Sequence, residues 1–199
     1  MEVYDQIGES WYNVRHNTIF RKELSRLNEM WSGGRLLNIG CAHGPDFVPF
    51  DPDKFSFYGI DSSKELVFLS EKYSRKKTLA FHNCVADMRN LPFKNGSFEH
   101  LICIASLHHL LQKEDRVKAL KEMKRVLSDS GFITVWDRKN SELPPGKIIT
   151  KEWNKSGRVL KRQYYIYSKG ELENELEYAG LEGDVTSDGR NLLAEIKLK

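Results

Sequence analysis

Leu36-Leu37-Asn38-Ile39-Gly40-Cys41-Ala42-His43-Gly44 is the stretch whose reading decides the fold. An apolar run of strand length feeds directly into a turn of small residues. In doubly wound α/β sheets the ligand crevice lies beyond the carboxyl ends of the strands. Small residues at such an end let a ligand approach the backbone closely. Packing alone also calls for small residues at strand ends, so the features downstream carry the argument. Seventeen residues past Gly44, Tyr58-Gly59-Ile60-Asp61-Ser62 ends a second apolar run at a carboxylate. An acid in that place can hold both hydroxyls of a ribose; it can equally cap the following helix. Then comes Val85-Ala86-Asp87-Met88. Asp87 can accept a hydrogen bond from an adenine amino group while Met88 covers the ring, or the two can be a turn acid and a core methionine.

Working outward, the pattern predicts strands over 35–39, 55–60, 78–85, 100–105 and 132–136. It predicts helices within the first 31 residues, over 64–77 with Ser62 or Ser63 as cap, and over 114–127, with a turn at Ser130-Gly131. Alternating strands and helices imply a mostly parallel sheet covered on both faces. Residues 138–163 interrupt the rhythm with Pro144-Pro145-Gly146, Trp153 and a basic run, as an insertion or flap would. A helix over 168–179 follows, with Ser168 and Glu171 in capping-box spacing and Gly180 as its stop. Runs 181–186 and 192–198 complete the sheet as an antiparallel pair. The expected fold is a Rossmann-like doubly wound α/β sheet of about seven strands. One domain is expected over 1–199: a helical lid over 1–32, a core over 33–137, a basic insertion over 138–167, and a helix with two strands over 168–199.

The chain has 199 residues, 40% apolar and 30% charged, which excludes a disordered or membrane-embedded class. No apolar run nears the roughly 18 residues that span a bilayer, and the N-terminus lacks the basic start and apolar stretch of a signal peptide. Cys41, Cys84 and Cys103 stand singly, without zinc spacing. A reduced, cytoplasmic protein without metal is the expectation. From Arg138 to Lys169 nine Lys and Arg face two Glu, on a chain whose net charge is only +3. So local a surplus suits either a polyanionic partner or a solvated surface.

As a set, L-L-N-I-G-C-A-H-G, G-I-D, A-D-M-x-x-L-P-F and S-F-E-H-L-I-C-I-A-S-L-H-H-L resemble the successive motifs of class I S-adenosylmethionine-dependent methyltransferases over about residues 33–136. Asn38 stands where the family has an acid, and Ala42 where it has its middle glycine. A narrower resemblance, to the tRNA wobble-uridine carboxymethyl methyltransferases, rests on three stretches. They are Tyr4-Asp5-x-Ile7 with Trp11 and Arg15, the strand ending Ile104-Ala105-Ser106-Leu107-His108-His109-Leu110, and Arg162-Gln163-Tyr164-Tyr165 through Gly170-Glu171-Leu172. Arg190-Asn191 lies near that family's Arg-Asp-Asn-Trp, without the tryptophan, and Ile166 replaces a histidine. The resemblance implies S-adenosylmethionine as cofactor and S-adenosylhomocysteine as product. It implies cofactor contacts at Tyr4, Asn38, Gly40, Ala42, Gly44, Asp61, Ser62, Asp87, Met88 and Ala105. It also implies a tRNA anticodon loop as substrate, and a small zinc-binding activator subunit adding a strand at the sheet edge. There 55–58 and 78–82 supply aromatic and apolar groups, with Phe47, Val48 and Phe50 just before them; the helix 64–77 and the N-terminal helices could cover those residues instead.

A carboxylate acceptor is ionised near pH 7 and needs no strong base; the protein must desolvate, align and hold it. Arg15, His108, His109 and Arg190 are the candidates for that work, an arginine fork matching a carboxylate best. Arg15 could instead pair with an acid of the N-terminal helices, and Arg190 could be a turn residue. Of the two histidines one is expected to face the pocket. Lys155, Arg158, Lys161, Arg162, Tyr164 and Tyr165 are the candidates for binding RNA, because aromatics interleaved with cations stack on unpaired bases; the tyrosines could equally be strand packing. Two other functions remain open: a small-molecule methyltransferase with 138–163 as lid, and a non-catalytic methyltransferase-like subunit of an RNA-modifying complex.

Overall fold

Strand β1 (Gly34–Ile39) buries Leu36, Leu37, Asn38 and Ile39 alike, so both of its faces meet protein, as a central parallel strand requires. The computed structural model describes residues 2–140, 142–144, 147–155 and 158–199; the side chains of Glu2 and Lys155, and Pro145-Gly146 of the expected flap, lie outside the described residues. β1 pairs in parallel with β2 (Phe55–Asp61) and β4 (Phe98–Ile104). β3 (Phe81–Val85) flanks β2 and β5 (Leu127–Trp136) flanks β4, again parallel. β9 (Asn191–Leu198) joins β5 antiparallel, and β8 (Leu181–Ser187) closes that edge. The order β3-β2-β1-β4-β5-β9-β8 is a Rossmann-like sheet of seven strands, and it reverses beside β1, where the glycine-rich turn leaves the sheet.

Helices α4 (Lys113–Val126) and α5 (Lys169–Ala179) cover one face, with Leu120, Met123, Leu172 and Leu176 in one core with Leu37, Ile39, Leu101 and Ile133. On the other face lies α2 (Arg21–Met30), whose Leu24 and Leu27 pack with Leu36, Phe57, Ile102 and Phe132. Each buried leucine is worth about 1.5–3 kcal/mol, enough to hold a short helix that would be marginal alone. α1 (Glu2–Val14) rests on α3 (Lys64–Lys77), where Tyr12 meets Leu69 and Tyr73. Among the described residues no helix is long and apolar enough to cross a membrane.

Several elements depart from the sequence reading for identifiable reasons. The third strand starts at Phe81, not residue 78, because Thr78 turns left-handed (φ +55°) to end α3. No turn forms at Ser130-Gly131. β5 runs through both, pairing them with His100 and Leu101 on one side and with Lys197 and Ile196 on the other; a side chain at Gly131 would strike Leu101. The insertion is a hairpin, β6 (Ile148–Lys155) and β7 (Arg158–Tyr165), paired only with itself among the described residues. Between β1 and β2 the chain makes only a 3-10 turn, Pro45–Phe47, consistent with Pro49 and Pro52 just beyond. Of the two readings of the sheet edge, helical cover holds for Phe47, Phe50, Phe55 and Phe57, which are buried in one cluster with Leu24 and Leu27 of α2. At that edge β3 exposes Val85, and Phe68 of α3 stands exposed near His82.

Candidate functional site

The turn after β1 is shaped by three left-handed residues in five: Gly40 (φ +72°), Ala42 (φ +49°) and Gly44 (φ +98°). The Gly40 and Cys41 amides donate to the Ile60 carbonyl at 2.8 and 2.9 Å, lashing the turn to the end of β2. A side chain at Gly40 would overlap Ser106, and one at Gly44 would strike Phe81, so here glycine is required both by conformation and by room. Asp61 completes the arrangement. Its carboxylate accepts from the Ala42 and Ser63 amides, each at 2.9 Å. Ser63, not Asp61, caps α3, through the Leu66 amide, and its hydroxyl donates to Asp5 of α1. Burial pushes the Asp61 carboxyl upward, against those two amides.

One cavity of about 470 Å³ runs along the carboxyl ends of β1, β2 and β4, within the range of small-molecule and cofactor sites. Its first end holds Gly40, Ala42, Asp61, Ser62, Asp87, Met88 and Ala105. Both oxygens of Asp87 are engaged by Arg89, whose Nη1 continues to Asp115 at 2.9 Å; that hydrogen bonding holds the Asp87 carboxyl low. Asp46, in the 3-10 turn, also lines the wall. Burial raises it to about 6, while Thr18, Asn38 and the Arg15 guanidinium pull against the rise.

The second end is aromatic and basic. Trp136 and Tyr164 stack there at 4.3 Å, and Tyr4 reaches from α1 to His109 Nε2 (3.2 Å) and to the Tyr164 hydroxyl (3.4 Å). The Trp136 amide donates to His108 Nδ1 at 3.1 Å, which leaves the ring proton of neutral His108 on Nε2. Burial drives His108 well below its ordinary pKa and His109 down to about 4. Near neutral pH both are uncharged. Arg15, Lys161 and Arg162 supply the positive charge of this wall.

Most residues expected from the sequence converge on this cavity, including Tyr4, Arg15 and both histidines rather than one. Asn38 is buried beneath the turn and Gly44 shapes it from behind, so neither lines the cavity. Two expectations are corrected. Arg190 stands apart, exposed in an ion pair with Glu142 on the β8–β9 side of the sheet. Tyr165 faces the core, its ring 3.7 Å from the Arg116 guanidinium and its hydroxyl on Glu171, because alternate residues of a strand point to opposite faces. Tyr164 takes the cavity side. Arg158 and Lys161 remain exposed on the hairpin, while Arg162 turns inward. Asp46, Thr18 and Trp136 were missed. An acid immediately after the glycine turn was the available signal for Asp46; nothing local marks the other two.

A family model described as a methyltransferase domain matches residues 37–135. Over 137 residues, 68% of this chain, the sequence is 33% identical to a tRNA (carboxymethyluridine(34)-5-O)-methyltransferase of Xenopus tropicalis, and over 136 residues 33% identical to one of Arabidopsis thaliana. Those matches span only 20% and 31% of the relatives' own lengths. Among solved structures, an S-adenosylmethionine-dependent methyltransferase from Clostridium acetobutylicum superposes with a TM-score of 0.73 at 14% identity, covering 98% of each chain. The CcbJ methyltransferase of Streptomyces caelestis reaches 0.77 at 12% identity, covering 90% of this chain and 95% of its own. At such identities the structures attest the fold.

Proposed function

The chain belongs to the class I S-adenosylmethionine-dependent methyltransferases, and on that premise we propose that it methylates the carboxylate of a 5-carboxymethyl uridine at the wobble position of a tRNA anticodon loop. The cofactor is S-adenosylmethionine. When bound, it supplies a methyl group on a positively charged sulfur and leaves as S-adenosylhomocysteine. The residues present fit it. Asp61 is a buried carboxylate at the end of β2 that would take the ribose hydroxyls. The cradle of Gly40 admits backbone contact that a side chain would block, and Asp87 with Met88 lie where an adenine would rest.

The observation that carries the acceptor reading is the state of the two histidines. A phenol or amine acceptor would need a base, and burial, which holds His109 at about 4 and His108 well below its ordinary value, leaves both imidazoles poor at taking a proton. A carboxylate arrives already ionised. For it the site need only align and desolvate, with Trp136 and Tyr164 against the base and arginines against the anion. In the transfer an oxygen lone pair of the acceptor forms the new C–O bond, the C–S bond breaks with its pair left on sulfur, and no proton moves. The exposed Arg158 and Lys161 of the hairpin would meet tRNA phosphates. A small zinc-binding activator belongs to the same reading, and β3 is the edge where its strand would add.

A second reading, a small carboxylic acid as acceptor, draws on the hairpin's closure over the cavity, where Trp153 Nε1 donates to Ser10 Oγ of α1 at 3.0 Å. Labelled cofactor incubated with the protein and total tRNA, followed by digestion, separates the two. Label in the methyl ester of a 5-carboxymethyl uridine is the expected result. Unlabelled tRNA alongside methylation of small acids would establish the second reading instead.

A further inference from the structure

Arg162 lies on β7 opposite Lys151 of β6, yet its side chain is half-buried rather than spread into solvent as the basic run would suggest. It sits among four aromatic rings, 4.9 Å from the centroid of Trp153, 5.3 Å from Trp11, 5.7 Å from Tyr164 and 6.0 Å from Tyr4. Those rings come from α1 and from both strands of the hairpin. Cation–π contacts of this kind orient a guanidinium and strip its water without neutralising it. Its Nε is buried without a hydrogen-bond partner, and among the described residues no carboxylate forms an ion pair with it, whereas Arg35, Arg89, Arg116, Arg138 and Arg190 all have one. Arg162 nevertheless lines the cavity.

Arg15, the other arginine of this wall, is in a different position. It lies near enough to Asp46 to lower that acid's pKa, so part of its charge is already answered. The cavity is thus graded: Asp46, Asp61 and Asp87 lie toward the cofactor end, and a half-buried cation without an ion-pair partner among the described residues lies at the aromatic end. A guanidinium donor gives a charge-assisted hydrogen bond to one carboxylate oxygen, which fixes the acid while its second oxygen stays free.

We propose that Arg162 is the residue that recognises the acceptor, binding its carboxylate inside the aromatic cage and thereby selecting acid over ester and over unmodified base. This rests on the carboxylate-acceptor reading above and names the residue that enforces it. The anion binds through one oxygen and leaves the other to be methylated. The ester product is neutral, so the charge-assisted contact disappears on reaction and the product is released in favour of fresh acid.

The test uses the full chain with S-adenosylhomocysteine present. The heat of binding is measured in calorimetric titrations with 5-carboxymethyluridine and with its methyl ester. Indole-3-acetate and its methyl ester serve as a second pair. Wild type is expected to favour acid over ester by at least about tenfold, as one charge-assisted hydrogen bond provides. R162M, which keeps bulk among the rings, should lose that preference, and R162K should keep part of it; neither should change cofactor affinity by calorimetry. A merely structural role would weaken acid and ester alike and leave their ratio intact. An unchanged ratio in folded R162M, or no acid preference in wild type, overturns the proposal. A ratio that depends on Arg162 for indole-3-acetate while carboxymethyluridine fails to bind would uphold the anion clamp and overturn the nucleoside reading.

Discussion

Ala42 and Ala105 hold φ near +49°, a region costing an ordinary L-residue about 1–2 kcal/mol, and both line the cavity. Strain at two facing turns of one site is characteristic of a ligand cradle. Ala42→Gly should therefore stabilise the protein by about 0.5–1 kcal/mol in urea unfolding without weakening the cofactor; a loss of stability would show that the Ala42 methyl packs usefully. Asp61→Ala should weaken S-adenosylhomocysteine by about 1.5–3 kcal/mol in a calorimetric titration of folded protein, and unchanged affinity would remove Asp61 from the site. These positions were readable from the chain because their chemistry is local: a glycine at positive φ and a carboxylate at a strand end act within a few residues. The sequence marks Arg162 only as an RNA contact, because its inward turn depends on Tyr4 and Trp11, about 150 residues away in the chain. No local spacing encodes that meeting.

At the scale of elements, helix α3 and the capping box of α5 matched the sequence closely, since propensity, caps and burial agree there. The hairpin did not announce itself. Its strands alternate charged and aromatic residues whose two faces are distinguished only by what packs on them: Arg162 and Trp153 turn toward α1, while Tyr165 turns toward Arg116. Arg158, at the start of β7, and Lys161, on the strand face opposite Arg162, are both exposed for a polyanion. Reversing both to Glu should weaken tRNA binding and flatten its salt dependence by about one logarithmic unit per lost phosphate contact, with cofactor affinity intact. An equal affinity at low salt in gel-shift titrations would show that the hairpin does not meet RNA.

For the whole molecule, acid is the expected weakness. Burial holds His43 and His109 at about 4 and His108 well below its ordinary value, whereas in the unfolded chain each takes up a proton near pH 6.5. Between roughly pH 6.5 and 4 the unfolded state binds more protons, so stability falls as pH falls. Asp46 opposes this: raised to about 6, it is protonated in the fold and ionised in the unfolded chain over nearly the same window. Burial also lowers His16 and His100 and raises Asp61, so lowered imidazoles outnumber raised carboxyls five to two, and the urea midpoint should drop between pH 6.5 and 5. A flat midpoint would mean that these imidazoles are wet. The field inside the crevice follows from the short 3-10 turn at Pro45–Phe47. A full helix beginning there would aim roughly half a positive charge at the ligand, which serves a pyrophosphate and repels a sulfonium. With that macrodipole missing and Asp46 in its place, the crevice is electrostatically suited to a cation, and nucleotides anchored by their phosphates should be poor competitors for it.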